Sequence, residues 1–114
     1  MPTLKRSGIR CMRCSLYAAC NSIRIDGDGP DRCDVLFVGE APGEEEDSQG
    51  VPFVGSSGRL LRDYLRRVTF SYRISNVVRC RPPSNRRPTP KEIESCLPHL
   101  RAEILSAFPK VIVA

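Results

Sequence analysis

The sequence predicts an α/β domain, a three-layer αβα sandwich built around a short parallel sheet. Three apolar runs, "CDVLFV", "RISNVV" and "KVIVA", have the length and the β-branched content of buried strands. Two longer stretches with apolar residues at helical spacing lie between them, and strands that alternate with helices pair in parallel. With 40% apolar residues, the chain of residues 1–114 can form a single domain with a modest core.

The first strand is predicted over residues 33–38, and the acidic stretch "GEAPGEEEDSQG" follows it. A cluster of like charges is most often exposed to solvent, so we interpret Glu44, Glu45 and Asp47 as part of a solvated loop. The alternative is that some of the carboxylates in this stretch face a ligand that needs negative charge close to it.

The first helix is predicted over "SSGRLLRDYLRRV", residues 56–68, with Ser56 or Ser57 as its N-cap. Its apolar side chains recur at helical spacing and form one face, while arginines form the other. The apolar face comprises Leu60, Leu61, Tyr64, Leu65 and Val68.

The second strand is predicted over residues 73–78 and the third over residues 110–114, with a helix in "TPKEIESCLPHLRAEILSAF" between them. Thr89 and Glu92 form a capping box at the start of this helix, and Pro98 is expected to break or kink it. Ligands of parallel sheets lie beyond the carboxyl ends of the strands. The acidic stretch and the arginine-rich "RCRPPSNRRPTP" are therefore expected at the same rim of the sheet.

The positive charge of the chain is concentrated in its second half. The formal net charge is +5, and residues 59–101 carry most of the arginines, whose planar guanidinium groups suit phosphate. The loop "RPPSNRRPTP" combines arginines with prolines and is predicted to be stiff and extended. We interpret it either as an arm that binds a polyanion or as a connector on a merely soluble basic surface.

The cysteines point to metal or redox chemistry, because the chain has no apparent secretion signal. The six are Cys11, Cys14, Cys20, Cys33, Cys80 and Cys96. One alternative is a zinc site formed by the local set of Cys11, Cys14, Cys20 and Cys33. The other is an iron–sulfur cluster held by the distant set of Cys11, Cys14, Cys80 and Cys96. Cys33 lies in a predicted strand, which weakens the local set, and the remaining alternative is that all six are unligated core thiols.

No apolar run approaches the roughly 20 residues that a membrane span needs, and the first residues lack the apolar segment of a secretory signal. We therefore expect a cytoplasmic protein with no membrane partner.

The chain closely resembles the family 4 uracil-DNA glycosylases, the iron–sulfur branch of that superfamily. Four segments carry the resemblance: "CMRC", "VGEAPGEEEDSQGVPFVGSSGRLL", "SNVVRCRPPSNRRPTPKEIESC" and "FPKVIVA". The resemblance implies a structural 4Fe–4S cluster held by Cys11, Cys14, Cys80 and Cys96. It leaves the other two cysteines as spare thiols.

The resemblance also implies a uracil pocket lined by "GEAPG", which includes Gly39. Glu40, with Glu46 as the second candidate, would place the attacking water or stabilise positive charge on the sugar as the bond to uracil breaks. Phe53 would stack on the flipped-out base, and Asn76 would bond its Watson–Crick edge.

The partner implied by the resemblance is uracil-containing DNA, in the base-excision branch of DNA repair. Arg81, Arg86 and Arg87 of the arginine-rich loop are the expected contacts to the DNA backbone.

Two functions remain open from the sequence, because members of the family continue past "PKVIVA" with a fourth strand and a histidine-bearing loop. His99 does not match that motif and is expected to be a surface helix residue. The chain, apparently truncated after its third strand, would remove uracil by N-glycosidic bond hydrolysis if completed by that half. Alternatively, it is a non-catalytic homologue that binds DNA or a protein partner. A bare strand at residues 111–114 would then favour self-association or pairing with another chain.

Overall fold

Three parallel strands form one sheet in the computed structural model of the protein, which describes residues 14–114. The sheet has the order β2–β1–β3. The strands are β1 (Val35–Gly39), β2 (Tyr72–Asn76) and β3 (Val111–Val113). All three predicted strands are confirmed, with boundaries that shift by one to two residues.

The register of the two neighbouring strands places their carboxyl ends side by side. Val35 pairs with Tyr72 at one end, and Gly39 pairs with Asn76 at the other. The last residues of β1 and β2, which the sequence assigned to base binding, are therefore neighbours in space.

Helices connect the strands and cover the sheet. They are α1 (Glu44–Gln49), α2 (Ser56–Leu65) and α3 (Pro90–Ala107), with single 3₁₀ turns at Ser15–Ala18 and Pro83–Asn85. The chain crosses from β1 to β2 in one direction along the sheet and from β2 to β3 in the other. Because such parallel crossovers are right-handed, α2 and α3 lie on opposite faces. This arrangement confirms the predicted α/β class.

The long helix α3 begins with the predicted capping box and continues through its internal proline. Thr89 Oγ1 accepts from the Glu92 amide at 3.2 Å, and the Glu92 carboxylate accepts from the Thr89 amide at 2.9 Å. The expected break at Pro98 is wrong, because the helix runs from residue 90 to residue 107. Burial of Cys96 and Leu100 on either side of the proline offsets the lost backbone hydrogen bond.

Two apolar clusters form much of the core in residues 14–114. One lies between β1 and α3 and comprises Cys33, Leu36, Leu100 and Ala107. The other lies beyond the carboxyl end of β2 and comprises Leu16, Ile23, Val78, Cys80 and Cys96. The second cluster ties the N-terminal segment to the sheet.

Part of the apolar surface predicted to be buried is exposed. On α2, Leu65 is buried, but Leu60 and Tyr64 are 60% and 72% exposed, so the predicted apolar face is only partly buried. The helix packs closely at Gly58, which turns the side chains at 60 and 64 outward. β3 lies at an edge of the sheet with all three of its side chains exposed. The serine N-cap is also wrong, because Gly55 occupies that position.

A buried ionic network joins β2 to α3. Arg79, 3% exposed, donates to Glu103 at 2.7 Å and to the main-chain oxygen of Asn76 at 2.8 Å. Arg73 pairs with the same carboxylate, and the Ser75 hydroxyl donates to it at 2.6 Å. Burial opposes ionisation of Glu103, but these hydrogen bonds and positive charges outweigh it and lower its pKa. The network therefore holds the end of β2 in place.

None of the helices described over residues 14–114 is both long and apolar enough to cross a membrane.

Candidate functional site

A cavity of about 580 Å³ opens at the carboxyl ends of β1 and β2. Its wall is formed by the end of β1, the short helix α1, the start of α2 and the end of β2. It includes all five residues that the sequence assigned to catalysis and base binding: Gly39, Glu40, Glu46, Phe53 and Asn76. Residues distant in the chain thus meet where parallel sheets bind ligands.

The carboxylate of Glu46 is fully engaged by the backbone around it. Its Oε1 accepts from the Gly43 amide at 2.9 Å, and its Oε2 accepts from the amides of Val54 and Gly55 at 2.9 and 2.8 Å. Burial opposes ionisation, but these amides outweigh it and lower the pKa of Glu46. Glu46 therefore joins the start of α1 to the turn before α2 and shapes the cavity wall.

Glu40 has a different environment, because it lies at the mouth of the cavity. Its side chain is 45% exposed, and its Oε2 accepts from Nη2 of Arg87 at 2.9 Å. Since Arg87 belongs to the arginine-rich loop, this pair confirms that the acidic and basic segments emerge at the same rim. Of the two predicted catalytic acids, Glu40 has the more accessible carboxylate.

Gly39, Phe53 and Asn76 form a tight group on the inner wall. A Cβ atom on Gly39 would lie 2.5 Å from Oδ1 of Asn76 and 2.7 Å from Cζ of Phe53. Asn76 is 3% exposed, while Phe53 is partly exposed to the cavity. An aromatic ring and a buried amide beside each other, with no side chain between them, offer a stacking surface and hydrogen-bonding groups to a planar base.

The arginine-rich loop is more strongly bonded within the protein than the sequence suggested. Arg86 donates to both oxygens of Glu92, at 3.0 and 2.8 Å, and this pairing lowers the pKa of Glu92 to about 2. Arg81 donates to Oδ1 of Asn85 at 2.7 Å. Arg87 has the most exposed side chain of the ion-paired arginines, at 86%. Among the three predicted backbone contacts, it is the one best placed to meet a phosphate.

Asp47 does not lie in a solvated loop, and that prediction is wrong. The acidic stretch forms α1, and Asp47 is 1% exposed on its inner side. Its Oδ1 accepts from the amides of Asn21 and Ser22 at 3.0 and 2.8 Å, and the Ser22 hydroxyl donates to its main-chain oxygen at 2.6 Å. Asp47 therefore ties the N-terminal segment to a wall of the cavity, whereas Glu44 and Glu45 are exposed.

Three of the four predicted cluster ligands line a second, small cavity. Cys14, Cys80 and Cys96 lie around it, and Cys11 is outside the described residues. In the part of the chain from residue 14 onward, no three cysteine, histidine or carboxylate side chains are close enough together to form a metal centre. The structure thus brings the distant cysteines to one place without a complete ligand set.

Backbone amides point at the sulfur atoms of this cavity. The amide of Arg24 donates to Sγ of Cys80, and the amide of Arg79 donates to Sγ of Cys96, both at 3.3 Å. Cys20 lies beside Cys80. A hydrogen bond between the thiols of Cys20 and Cys80 raises the pKa of Cys80 and lowers that of Cys20. Cys20 is therefore adjacent to the predicted ligands, which the sequence did not indicate.

Cys33 lies apart from the other described cysteines. It is buried in the cluster between β1 and α3, and burial raises the pKa of its thiol. Cys14 and Cys20 belong to the other core cluster. This separation disfavours the local zinc set, which requires Cys33.

Comparison with known proteins bears directly on this geometry. The sequence model of the Uracil DNA glycosylase superfamily matches residues 27–114, the segment that contains the whole sheet and the cavity. The chain belongs to the uracil-DNA glycosylase superfamily.

Curated relatives in this superfamily are type-4 uracil-DNA glycosylases. Those of Sulfurisphaera tokodaii, Archaeoglobus fulgidus and Thermotoga maritima are 41%, 40% and 44% identical to this chain. The alignments cover 96%, 95% and 92% of this chain and 51%, 55% and 56% of those relatives. The chain thus spans about half the length of the curated relatives it matches. These matches confirm the resemblance predicted from the motifs.

A turn that the sequence analysis did not assign to the site also lies at the cavity of this superfamily member. Asn85 lines the cavity and, with Ser84, has a left-handed backbone conformation. Ser and Asn between prolines predict a turn but give no sign that the turn folds over the cavity.

His99 is half-buried on α3 and lines a separate cavity with Arg79 and Glu103. The predicted helical position of His99 is confirmed, but its side chain is half-buried rather than on the surface.

Proposed function

We propose that the chain forms the base-binding side of a uracil-DNA glycosylase that hydrolyses the N-glycosidic bond of uracil in DNA. The observation that carries this proposal is the convergence of Gly39, Glu40, Phe53 and Asn76 on one cavity. Membership of the superfamily and the names of the type-4 relatives support the same activity.

Base recognition would use the inner wall of the cavity. A uracil rotated out of the DNA stack would lie against the ring of Phe53, and Asn76 would bond its Watson–Crick edge. Gly39 would let the ring and the amide lie this close together on the wall, because a Cβ atom there would clash with both.

Charge stabilisation would come from Glu40. Breaking the bond between uracil and deoxyribose develops positive charge on the sugar, which a nearby carboxylate stabilises. Glu46 is the weaker candidate, because both of its oxygens already accept backbone hydrogen bonds. We assign Glu46 to shaping the cavity.

Contact with the DNA backbone would come chiefly from Arg87. This arginine is exposed at the mouth of the cavity and makes an ion pair with Glu40. If a DNA phosphate replaced Glu40 as the partner of the Arg87 guanidinium, the Glu40 carboxylate would become available to the sugar. Arg86 contributes less, because Glu92 engages its guanidinium at two atoms.

We also propose that the cysteine cavity holds the iron–sulfur cluster implied by the family. Cys14, Cys80 and Cys96, with Cys11, would be its thiolate ligands. The surroundings support this proposal, because the site is apolar and two backbone amides already donate to its sulfur atoms, although the three described thiols would have to move closer together to bind a metal. When bound, the cluster would supply a structural link between the N-terminal segment and the end of β2.

An oligonucleotide with a single uracil tests the proposed function. Alkali-labile abasic sites that form with the wild-type chain and are lost in Glu40→Gln, but not in Glu44→Gln, support the enzyme. Glu44 is the matched control because it is an exposed glutamate on the same cavity wall. Tighter binding to the uracil strand than to its thymine counterpart, without abasic sites, supports the non-catalytic binder. Equal binding to both strands without abasic sites contradicts the proposed enzyme and leaves a non-catalytic DNA binder, and binding to neither strand contradicts both DNA functions.

A further inference from the structure

The backbone of Phe53 is held from the side by an arginine of α2. Nε of Arg62 donates to the main-chain oxygen of Phe53 at 2.8 Å, and its Nη2 donates to that of Pro52 at 2.6 Å. The same Nη2 lies 3.2 Å from Oδ2 of Asp28, which orients the guanidinium. One side chain thus binds the carbonyl groups of two successive residues, Pro52 and Phe53. Phe53 carries the ring proposed to stack on the base.

Phe53 needs such support, because its backbone conformation is unfavourable. Its φ angle is +58°, in the left-handed region that bulky residues seldom occupy. Such a conformation persists only when surrounding contacts enforce it. The ring that results from it reaches the Gly39 position at the inner wall.

α2 also fixes Phe53 through a glycine. A Cβ atom on Gly58 would lie 2.4 Å from the carbonyl carbon of Phe53 and 2.6 Å from its Cα. The helix therefore approaches the strained residue closely at Gly58 and binds its carbonyl oxygen one turn later with Arg62.

We infer that Arg62 is a positioning residue that holds the Phe53 ring against Gly39 for base stacking. This inference rests on the proposed function, in which Phe53 stacks on uracil. The planar fork of arginine can reach two carbonyl oxygens and a carboxylate at once, whereas a lysine ammonium is a single compact charge on a flexible stem. Arg59 of the same helix donates to a single carbonyl, that of Val54, at 3.2 Å, and pairs with Glu45 from an exposed position.

The ring position can be measured without any activity. In the wild-type chain, NMR should give a nuclear Overhauser effect between the Phe53 ring protons and the Gly39 Hα protons, because the ring lies against them. Arg62→Lys should lose this effect. Arg66→Lys is the matched control, since Arg66 follows directly after α2 and its side chain pairs with Asp63 on the surface. Loss of the nuclear Overhauser effect in Arg62→Lys but not in Arg66→Lys supports the inference. An unchanged effect in Arg62→Lys overturns it.

Titration with free uracil then tests the link to base binding. Arg62→Lys should raise the Kd for uracil about tenfold, the loss expected when a stacking ring is misplaced, and Arg66→Lys should leave it unchanged. In Phe53→Ala, the additional Arg62→Lys change should have little further effect, because the two residues act through the same ring. If the effects of Arg62→Lys and Phe53→Ala on the binding free energy for uracil are fully additive, the inference is overturned, even if Arg62→Lys alone weakens binding.

The two proposals can fail separately. If wild type does not bind uracil, the proposed function fails, and the ring measurement still decides whether Arg62 positions Phe53. If wild type binds uracil and Arg62→Lys moves the ring without changing the Kd, the role of Arg62 in base stacking is overturned while the proposed function stands.

Discussion

Single residues set the shape of the candidate base pocket. At the end of β1, the absence of a side chain at Gly39 lets an aromatic ring and a buried amide pack directly against the backbone. A few positions away, Glu46 uses both oxygens to hold the turns around the cavity, whereas Glu40 remains accessible. Two glutamates six residues apart therefore have different roles, which are set by the number of backbone amides around each carboxylate.

Gly39→Ala should abolish uracil binding. The added methyl would lie 2.5 Å from Oδ1 of Asn76 and 2.7 Å from Cζ of Phe53, so at least one of them must move. Overpacking of this kind costs about 1–3 kcal/mol of folding free energy, which denaturant unfolding would measure. Ser57→Ala, at the exposed rim of the same cavity, is the control. Wild-type uracil affinity in Gly39→Ala would contradict the assignment of the ring and the amide beside Gly39 to base binding.

Glu92 should make the protein sensitive to acid. Its pKa is about 2 in the folded protein, below its value of about 4.3 in an unfolded chain. The stabilisation is therefore fully present above about pH 5 and is lost as the pH falls toward 2. Glu92→Gln should reduce the free energy of unfolding by about 1–2 kcal/mol at pH 7 and by about half as much at pH 3.

Unfolding in urea between pH 3 and pH 7 would measure this difference. Glu94→Gln, at an exposed position of the same helix, is the control and should follow wild type throughout. A difference between Glu92→Gln and wild type that stays constant with pH would show that the ion pair with Arg86 does not cause the effect.

Elements place the site because the sheet is parallel. β1 and β2 end side by side, so the acidic and arginine-rich segments that follow them meet at one rim. Hydrophobic periodicity was sufficient to predict these elements, since strands and helices have different repeats. It could not predict that Leu60 and Tyr64 are exposed, because periodicity gives a face of a helix but not what that face contacts. The acidic α1 has too few apolar residues to produce any periodic signal.

The arginine-rich loop should bind DNA mainly through Arg87. Arg87→Gln should weaken binding and reduce the slope of log affinity against log salt by about one, the value of one phosphate contact. Arg86→Gln is the matched comparison and should change the slope less, because Glu92 already engages that guanidinium. Fluorescence anisotropy over a range of salt concentrations would measure both slopes. Equal slopes for Arg87→Gln and wild type would remove Arg87 from the DNA interface.

At the scale of the whole molecule, contacts between distant segments hold the site together. Asp47 joins the N-terminal segment to α1, and Arg79 joins the end of β2 to α3. The motifs made it possible to predict which residues meet at the first cavity and which cysteines meet at the second. They could not reveal Asp47 as a buried anchor or Arg62 as a support of Phe53, because these roles depend on long-range partners that leave no local pattern.

The cysteine site should contain about four irons and four sulfides per chain when the protein is purified without oxygen. Cys80→Ser and Cys96→Ser should lose the brown colour and the iron, whereas Cys33→Ser should keep both, because Cys33 lies in the other core cluster. Metal analysis and visible absorption would measure this. Stoichiometric zinc in the anaerobic protein would contradict the cluster assignment.

Chemical-shift mapping of free uracil on the isotope-labelled chain tests the central claim most directly. If the cavity at the ends of β1 and β2 binds the base, saturable shifts should centre on Gly39, Phe53 and Asn76. Asn76→Ala should reduce the affinity at least tenfold, because a buried amide that bonds the base is lost. Shifts that centre elsewhere, or wild-type affinity in Asn76→Ala, would contradict the claim that this cavity is the uracil pocket.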